Sequence, residues 1–253
     1  IGSNSPLAKK FIIHSINKFN FLGATTSDFD KEINIKWINI KESILKLKEK
    51  LISIDIIINF SWSRKDNQEN IKLNKFLIKN KEKKTKLIFI SSISASPKSK
   101  SYYSKNKFQI SEIIRKNKGI NVMLGLVDHN NSLQINQLIK IITFLPFSLR
   151  FSYNFFNIYL INQDYFLIKL QELISTDKKT GNYAMYDKIL GINDFIKFLE
   201  AKHMIKKNFT ITFPVSLIKF FLFFVNIIPF KLSIIDKLLT FIYKDTKWID
   251  NLD

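Results

Sequence analysis

Between residue 7 and about residue 127, short runs of almost continuous apolar residues alternate with longer stretches of helical periodicity, and this rhythm limits the chain to very few folds. Ile54-Asp-Ile-Ile-Ile-Asn-Phe60 and Lys86-Leu-Ile-Phe-Ile90 lack the alternation of a strand with one wet face. Such runs suit parallel strands covered by helices on both sides. Strands are expected at 20–25, 33–38, 54–60, 87–91 and 121–127, with helices at 7–18, 41–52, 68–80 and 103–117 between them. Those helices are long enough for crossovers, which should be right-handed. An α/β fold follows, with an open, doubly wound parallel sheet. Beyond residue 128 the pattern changes to helical segments at 133–145, 163–175, 192–201, 215–228 and 233–243, with one strand-like stretch, Phe156-Asn-Ile-Tyr-Leu-Ile161. A second, smaller and mostly helical lobe is expected there, with no internal repeat and no long linker.

Composition removes several function classes. The chain has 253 residues, 46% of them hydrophobic, enough to bury a core of one or two domains. It has no cysteine, which excludes disulfides, thiolate metal sites and a cysteine nucleophile, and three scattered histidines (His14, His129, His203) form no zinc cluster. The net charge of +19 attracts anions. It is carried by lysine, however, with arginine only at Arg64, Arg115 and Arg150, and base and phosphate readers lean on arginine. No specific nucleic-acid partner is expected. The apolar run Phe220-Phe-Leu-Phe-Phe-Val-Asn-Ile-Ile-Pro-Phe230 is too short to span a bilayer, so membrane contact should be at most peripheral. Ile1-Gly-Ser-Asn-Ser-Pro-Leu-Ala8 has no features of a signal peptide, which makes the cytoplasm the expected location, and the absence of an initiating Met suggests a trimmed chain.

Two segments carry chemistry. Gly2-Ser-Asn-Ser-Pro-Leu-Ala8 opens a helix with a glycine turn and small residues, an arrangement that brings backbone N–H groups and a helix N-terminus close to a pyrophosphate. It reads equally as a plain turn and helix cap. Ser91-Ser-Ile-Ser-Ala95 ends a buried strand, and Tyr103-Ser-Lys-Asn-Lys107 begins the next helix. Four-residue spacing puts Tyr103 and Lys107 on one face, where an ammonium favours the phenolate and readies the tyrosine for proton transfer. A serine hydroxyl at the strand end would then hold the substrate oxygen. The plainer reading is an exposed helix pair, but Tyr102 has Asn106 four residues on, so only Tyr103 of the two tyrosines has a lysine partner.

Taken together, the glycine turn, Ile56-Ile-Ile-Asn-Phe-Ser-Trp62, and Ile88-Phe-Ile-Ser-Ser92 followed by Tyr103 and Lys107 resemble, in order and spacing, the extended short-chain dehydrogenase/reductase superfamily. More narrowly, the chain looks like the NAD-dependent epimerase/dehydratase family that acts on nucleotide sugars. The resemblance continues through Phe156-Asn-Ile-Tyr-Leu-Ile-Asn-Gln-Asp164, Gly181-Asn-Tyr-Ala-Met-Tyr186 and Ile192-Asn-Asp-Phe-Ile-Lys-Phe-Leu199. It implies a Rossmann-like domain over 1–127, lacking its first strand, and a substrate lobe over 128–253, with 156–176 returning to the Rossmann sheet. It implies NAD or NADP as cofactor, lined by Gly2, Ser3, Asn4, Ser5, Pro6 and Leu7 at the pyrophosphate and by Phe60, Ser61 and Trp62 further along. Tyr103 would be the catalytic acid/base, Lys107 would bind the nicotinamide ribose, and Ser92, with Ser94 in reserve, would hydrogen-bond the reacting oxygen. A nucleotide-sugar substrate, a role in surface-polysaccharide synthesis and a homodimer through the helices at 68–80 and 103–117 come with the same resemblance. Ser5 and Ala8 stand where the fingerprint has glycine, and Ser111 stands where a glutamate is usual. These departures keep a second reading open, a nicotinamide-binding regulatory or scaffold protein with a decayed sugar site. A third, a basic module for nucleic acid or membrane, rests on the charge and the 220–230 run. After the second strand, counting the missing one, Thr25-Thr-Ser-Asp28 has no arginine for a 2′-phosphate, and the acidic residue that usually marks NAD arrives late as Asp28, so NAD and NADP both stay open.

Overall fold

The computed structural model describes residues 1–27, 32–41, 43–63, 66–99, 101–128, 133–177 and 180–216. Its organising element is the strand Lys86–Ile90, here β4, which pairs in parallel with β3 (Ile56–Asn59) on one side and β5 (Ile120–Leu124) on the other. Because successive side chains point to opposite faces, Leu87 and Phe89 enter one core and Ile88 and Ile90 the other. The first core holds Leu47 and Leu51 of α2 (Ile44–Leu51), Ile71 and Leu77 of α3 (Asn67–Asn80), and Ile110 and Ile114 of α4 (Tyr102–Lys116). The second holds Phe11 of α1 (Pro6–Ser15) with Phe166, Leu167 and Leu170 of α6 (Gln163–Ser175). Helices therefore cover both faces, and the doubly wound α/β architecture expected from the apolar runs is present. Short polar side chains start these helices: Ser5, Ser43, Asp66, Ser101 and Asn162 each accept a hydrogen bond from a first-turn amide.

The expected strand at 121–127 is two strands. At Gly125 the chain leaves the main sheet, and Leu126–Asp128 (β6) pairs in parallel with β8 (Asn157–Asn162) in a separate small sheet. A side chain at Gly125 would stand 2.7 Å from the Tyr159 carbonyl oxygen, so the residue marks a close approach of two backbones. The second lobe also holds more strand than the single stretch expected. After α5 (Leu133–Phe144), β7 (Ser148–Phe151) pairs with β11 (Thr210–Phe213), and β8 pairs with β10 (Lys188–Gly191), which leads into α7 (Ile192–Lys202). β7, β10 and β11 are four residues long and half-exposed, so they lack the apolar signal of a buried strand. Within 156–176 only α6 returns to the sheet. β8 stays in the lobe, and the fourth strand of the main sheet is β9 (Gly181–Met185), alongside β5. Most of the helix expected at 215–228, all of that at 233–243 and the 220–230 run lie outside the described residues. Among the described residues no helix is long and apolar enough to cross a membrane.

β1 (Leu22–Thr25) and β2 (Lys36–Asn39) pair only with each other. Between β1 and β3 lies a cavity of about 500 Å3, lined among others by Ala8, Phe11, Leu47, Leu51, Ile56 and Ile58. The first two residues close one end of it: the Ile1 amino group donates to Ile58 O at 2.8 Å, Phe60 N–H donates to Ile1 O at 3.0 Å, and Gly2 N–H donates to Ala24 O at 2.8 Å.

The two faces of α6 provide a test of the layer arrangement. Phe166 is fully buried and Ile168 is 48% exposed. Phe166→Ala should lower unfolding free energy by about 3–5 kcal/mol and Ile168→Ala should stay within about 0.5 kcal/mol of wild type in urea titrations. Equal losses at the two positions would contradict the packing.

Candidate functional site

The C-terminal ends of β1, β3 and β4 open on the same edge of the α/β layers, where the main loops of such folds gather their functional groups. The turn before α1 is held against β1 on one side: Ser3 Oγ accepts from Ala24 N, and the Asn4 amide donates to Ser27 Oγ at 2.9 Å, which in turn lies 3.0 Å from Thr25 Oγ1. It is held against the end of β3 on the other. Gly2 has φ +71°, and a side chain there would stand 2.6 Å from Ser61 N, so both conformation and space require glycine. Ser5 is the N-cap of α1, accepting from Ala8 N, and Pro6 fills the first helical position. The serine that replaces a fingerprint glycine therefore serves as the helix cap. Gly2, Ser3, Asn4, Ser5, Pro6 and Leu7 form one turn with a helix N-terminus behind it, suited to an anionic diphosphate.

Phe60, Ser61 and Trp62 follow β3, and their path is set by three buried asparagines that the sequence reading passed over. Ser61 donates from both N–H and Oγ to Asn59 Oδ1, at 2.9 and 2.6 Å. Asn59 Nδ2 donates to Asn74 Oδ1, Asn74 Nδ2 donates to Asn70 O, and Asn70 bonds the backbone of Ser63 through both ends of its amide. Asn59, Asn70 and Asn74 are all at most 4% exposed. The available signal was the four-residue spacing of Asn70 and Asn74 on one helical face, together with an asparagine closing an otherwise apolar strand.

Tyr103 and Lys107 lie on successive turns of α4, which Ser101 caps by accepting from Ser104 N. Lys107 is 4% exposed. Its ammonium donates to Ile90 O at 2.8 Å and lies 4.2 Å from the centre of the Trp62 ring and 4.6 Å from that of Phe89. Burial without a carboxylate partner pushes the Lys107 pKa down from 10.5 to about 7. Tyr103 meets the same indole edge to face, with ring centres 5.7 Å apart. Trp62 is thus a wall shared by both residues, and its ring N–H is buried without a hydrogen-bond partner. In the loop after β4, Ser92 Oγ lies 2.9 Å from Ser94 Oγ and accepts from Ser94 N, so the two serines weighed as alternatives form one pair. Ser111, fully buried, pairs with the buried Ser91 hydroxyl at 2.8 Å. Asp28 lies outside the described residues. Among the described residues no cluster of histidines or carboxylates could hold a metal ion.

No protein-family model matches the chain, and no curated protein matches it in sequence. Solved structures do match in shape. A nucleoside-diphosphate-sugar epimerase from Staphylococcus aureus superposes with a TM-score of 0.68 at 11% identity, over 94% of this chain and 86% of that one. The UDP-N-acetylglucosamine 4-epimerase from Bacillus cereus gives 0.64 at 14% identity, over 84% and 83%. MoeE5 in complex with UDP-glucuronic acid and NAD gives 0.62 at 10% identity, over 84% of each chain. The chain has the Rossmann-like fold of these proteins.

The burial of Lys107 has a direct thermodynamic consequence. Between pH 7 and 10.5 the unfolded chain holds a proton on Lys107 that the folded chain has released, so this residue makes stability rise with pH across that window. From pH 7 to 9, wild type should gain on the order of 2 kcal/mol more than Lys107→Met in urea titrations. Parallel pH curves for the two proteins would show that Lys107 is not desolvated.

Proposed function

We propose that the chain is an NAD(P)-dependent enzyme acting on a nucleotide-linked sugar, as an epimerase, dehydratase or reductase. The observation that carries this reading is the placement of Tyr103 and Lys107 on successive turns of α4, packed around the Trp62 ring beside the end of β4, on the fold shared with MoeE5 and the sugar epimerases.

The residues fit a dinucleotide. The Gly2 turn is pressed against Ser61 without room for a side chain, and the α1 N-terminus stands behind it. Gly2, Ser3, Asn4, Ser5, Pro6 and Leu7 would hold the diphosphate, Phe60, Ser61 and Trp62 would line the path to the nicotinamide, and Lys107 would bind its ribose. When bound, the nicotinamide supplies a hydride acceptor at the sugar carbon. Tyr103 removes the hydroxyl proton from that carbon's oxygen and later returns one. A protonated Lys107 one turn away favours the phenolate during that exchange. Ser92, paired with Ser94, donates its hydroxyl proton as a hydrogen bond to the reacting oxygen and fixes its position. A cytoplasmic location, a role in surface-polysaccharide synthesis and a homodimer through α3 and α4, which pack side by side, belong to the same proposal.

Tyr103→Phe tests it. Turnover of the nucleotide sugar found by screening UDP-, dTDP- and ADP-linked sugars should fall by about 10²–10⁴-fold. Binding of NADH or NADPH, followed by reduced-nicotinamide fluorescence, should stay close to wild type. Undiminished turnover would exclude Tyr103 as the acid/base. Normal cofactor binding with no turnover of any sugar nucleotide would replace the enzyme with the regulatory or scaffold reading.

A further inference from the structure

Among the described residues three groups meet the Lys107 ammonium, and they differ in how freely they can move. Ile90 O and the Phe89 ring belong to β4, which is paired on both edges and buried on both faces. The third neighbour, the Trp62 ring, belongs to a loop. Any ligand that reaches Lys107 must therefore take the place of the indole. The loop backbone itself is fixed on either side of Trp62, since Ser61 is bound to Asn59 and Ser63 to Asn70. Movement is thereby confined to the side chain. The indole N–H is buried without an acceptor, so turning the ring outward breaks no hydrogen bond and gives that N–H access to water. What the ring gives up is its contact with the Lys107 cation and its edge-to-face contact with Tyr103.

We propose that Trp62 is a displaceable cover on Lys107: its indole and the hydroxyls of the cofactor ribose compete for one ammonium, and the cofactor enters by turning the ring aside. The inference rests on the proposed cofactor role of Lys107, and the same movement uncovers Tyr103, so cofactor occupancy and exposure of the acid/base become one event. The covered state is the resting state of the site.

Two measurements on the full chain test it. In the first, a short pulse of an acetylating reagent at pH 8 is read at Lys107 by peptide mass spectrometry, with the exposed Lys105 as internal reference. Relative to Lys105, Lys107 should react at least about tenfold faster in Trp62→Ala than in wild type, and close to the wild-type rate in Trp62→Phe, whose ring keeps the cover in place. Equal rates in wild type and Trp62→Ala overturn the cover. In the second, NADH should bind Trp62→Ala about threefold tighter or more, because the cost of opening has been removed; unchanged or weaker binding overturns the competition. If the alanine variant does not fold, the emission of Trp62, taken as wild type minus Trp62→Phe, should shift to longer wavelength on adding NAD+, and an unchanged difference spectrum overturns the proposal. Failure of all three proteins to bind NADH, with the labelling contrast intact, would instead overturn the cofactor reading and leave the cover standing.

Discussion

β4 has no side that faces water. Its neighbours on both edges and the helices on both faces all depend on five residues, Lys86 to Ile90, keeping their alternation in register. A shift by one residue would send Leu87 and Phe89 into the core made for Ile88 and Ile90. This strand also places the chemistry. Its last carbonyl, at Ile90, holds Lys107, and the loop that follows presents Ser92 and Ser94. Even Lys86 at its start is used, donating to carbonyls at the C-terminal end of α6 and tying that helix to the sheet.

Around this apolar centre most of the buried polar side chains are engaged with one another or with backbone groups. Asn59, Asn70 and Asn74 form a chain of amide hydrogen bonds from the end of β3 into α3, and Asn121 links α4 to β9 by donating to Ser111 O and Asn182 Oδ1. Inside a protein such groups are costly unless satisfied and, once satisfied, hold a single arrangement. They give the loop after β3 a fixed backbone. Against that background the Trp62 indole N–H and Ser104 Oγ are buried with no hydrogen-bond partner, and the indole lies against the Lys107 ammonium. In the lobe, by contrast, a half-buried cation has its counter-ion: Arg150 meets Glu200 at 2.6 Å, and Ser148 donates to the same carboxylate.

The sequence was informative where burial is extreme. The apolar runs around Ile57 and Ile88 could only be interior strands, and the four-residue spacing of Tyr103 and Lys107 alone puts both on one helical face. The lobe was harder to read, because Lys188-Ile-Leu-Gly191 and Thr210-Ile-Thr-Phe213 are short, half-exposed pieces whose identity as strands depends on partners distant in the chain. The break at Gly125 was hidden for a related reason. An uninterrupted apolar run cannot show that its two ends pair in different sheets, and only the closeness of the Tyr159 backbone gives that glycine its meaning. Contacts such as Trp62 with Lys107, between residues 45 positions apart, depend on side-chain directions that no local pattern encodes.

Among the described residues the glycine turn joins two sheets that do not pair with each other, β1–β2 and β3–β4–β5–β9. Gly2 and Ser3 N–H both donate to Ala24 O, while the Ile1 amino group donates to Ile58 O and Ile1 O accepts from Phe60 N–H, so the turn is tied at once to β1 and to the end of β3. Amide exchange in β1 and β2 is therefore tied to the integrity of the glycine turn, and a ligand bridging Gly2 and Ser61 would slow it from a distance by holding the two sheets together.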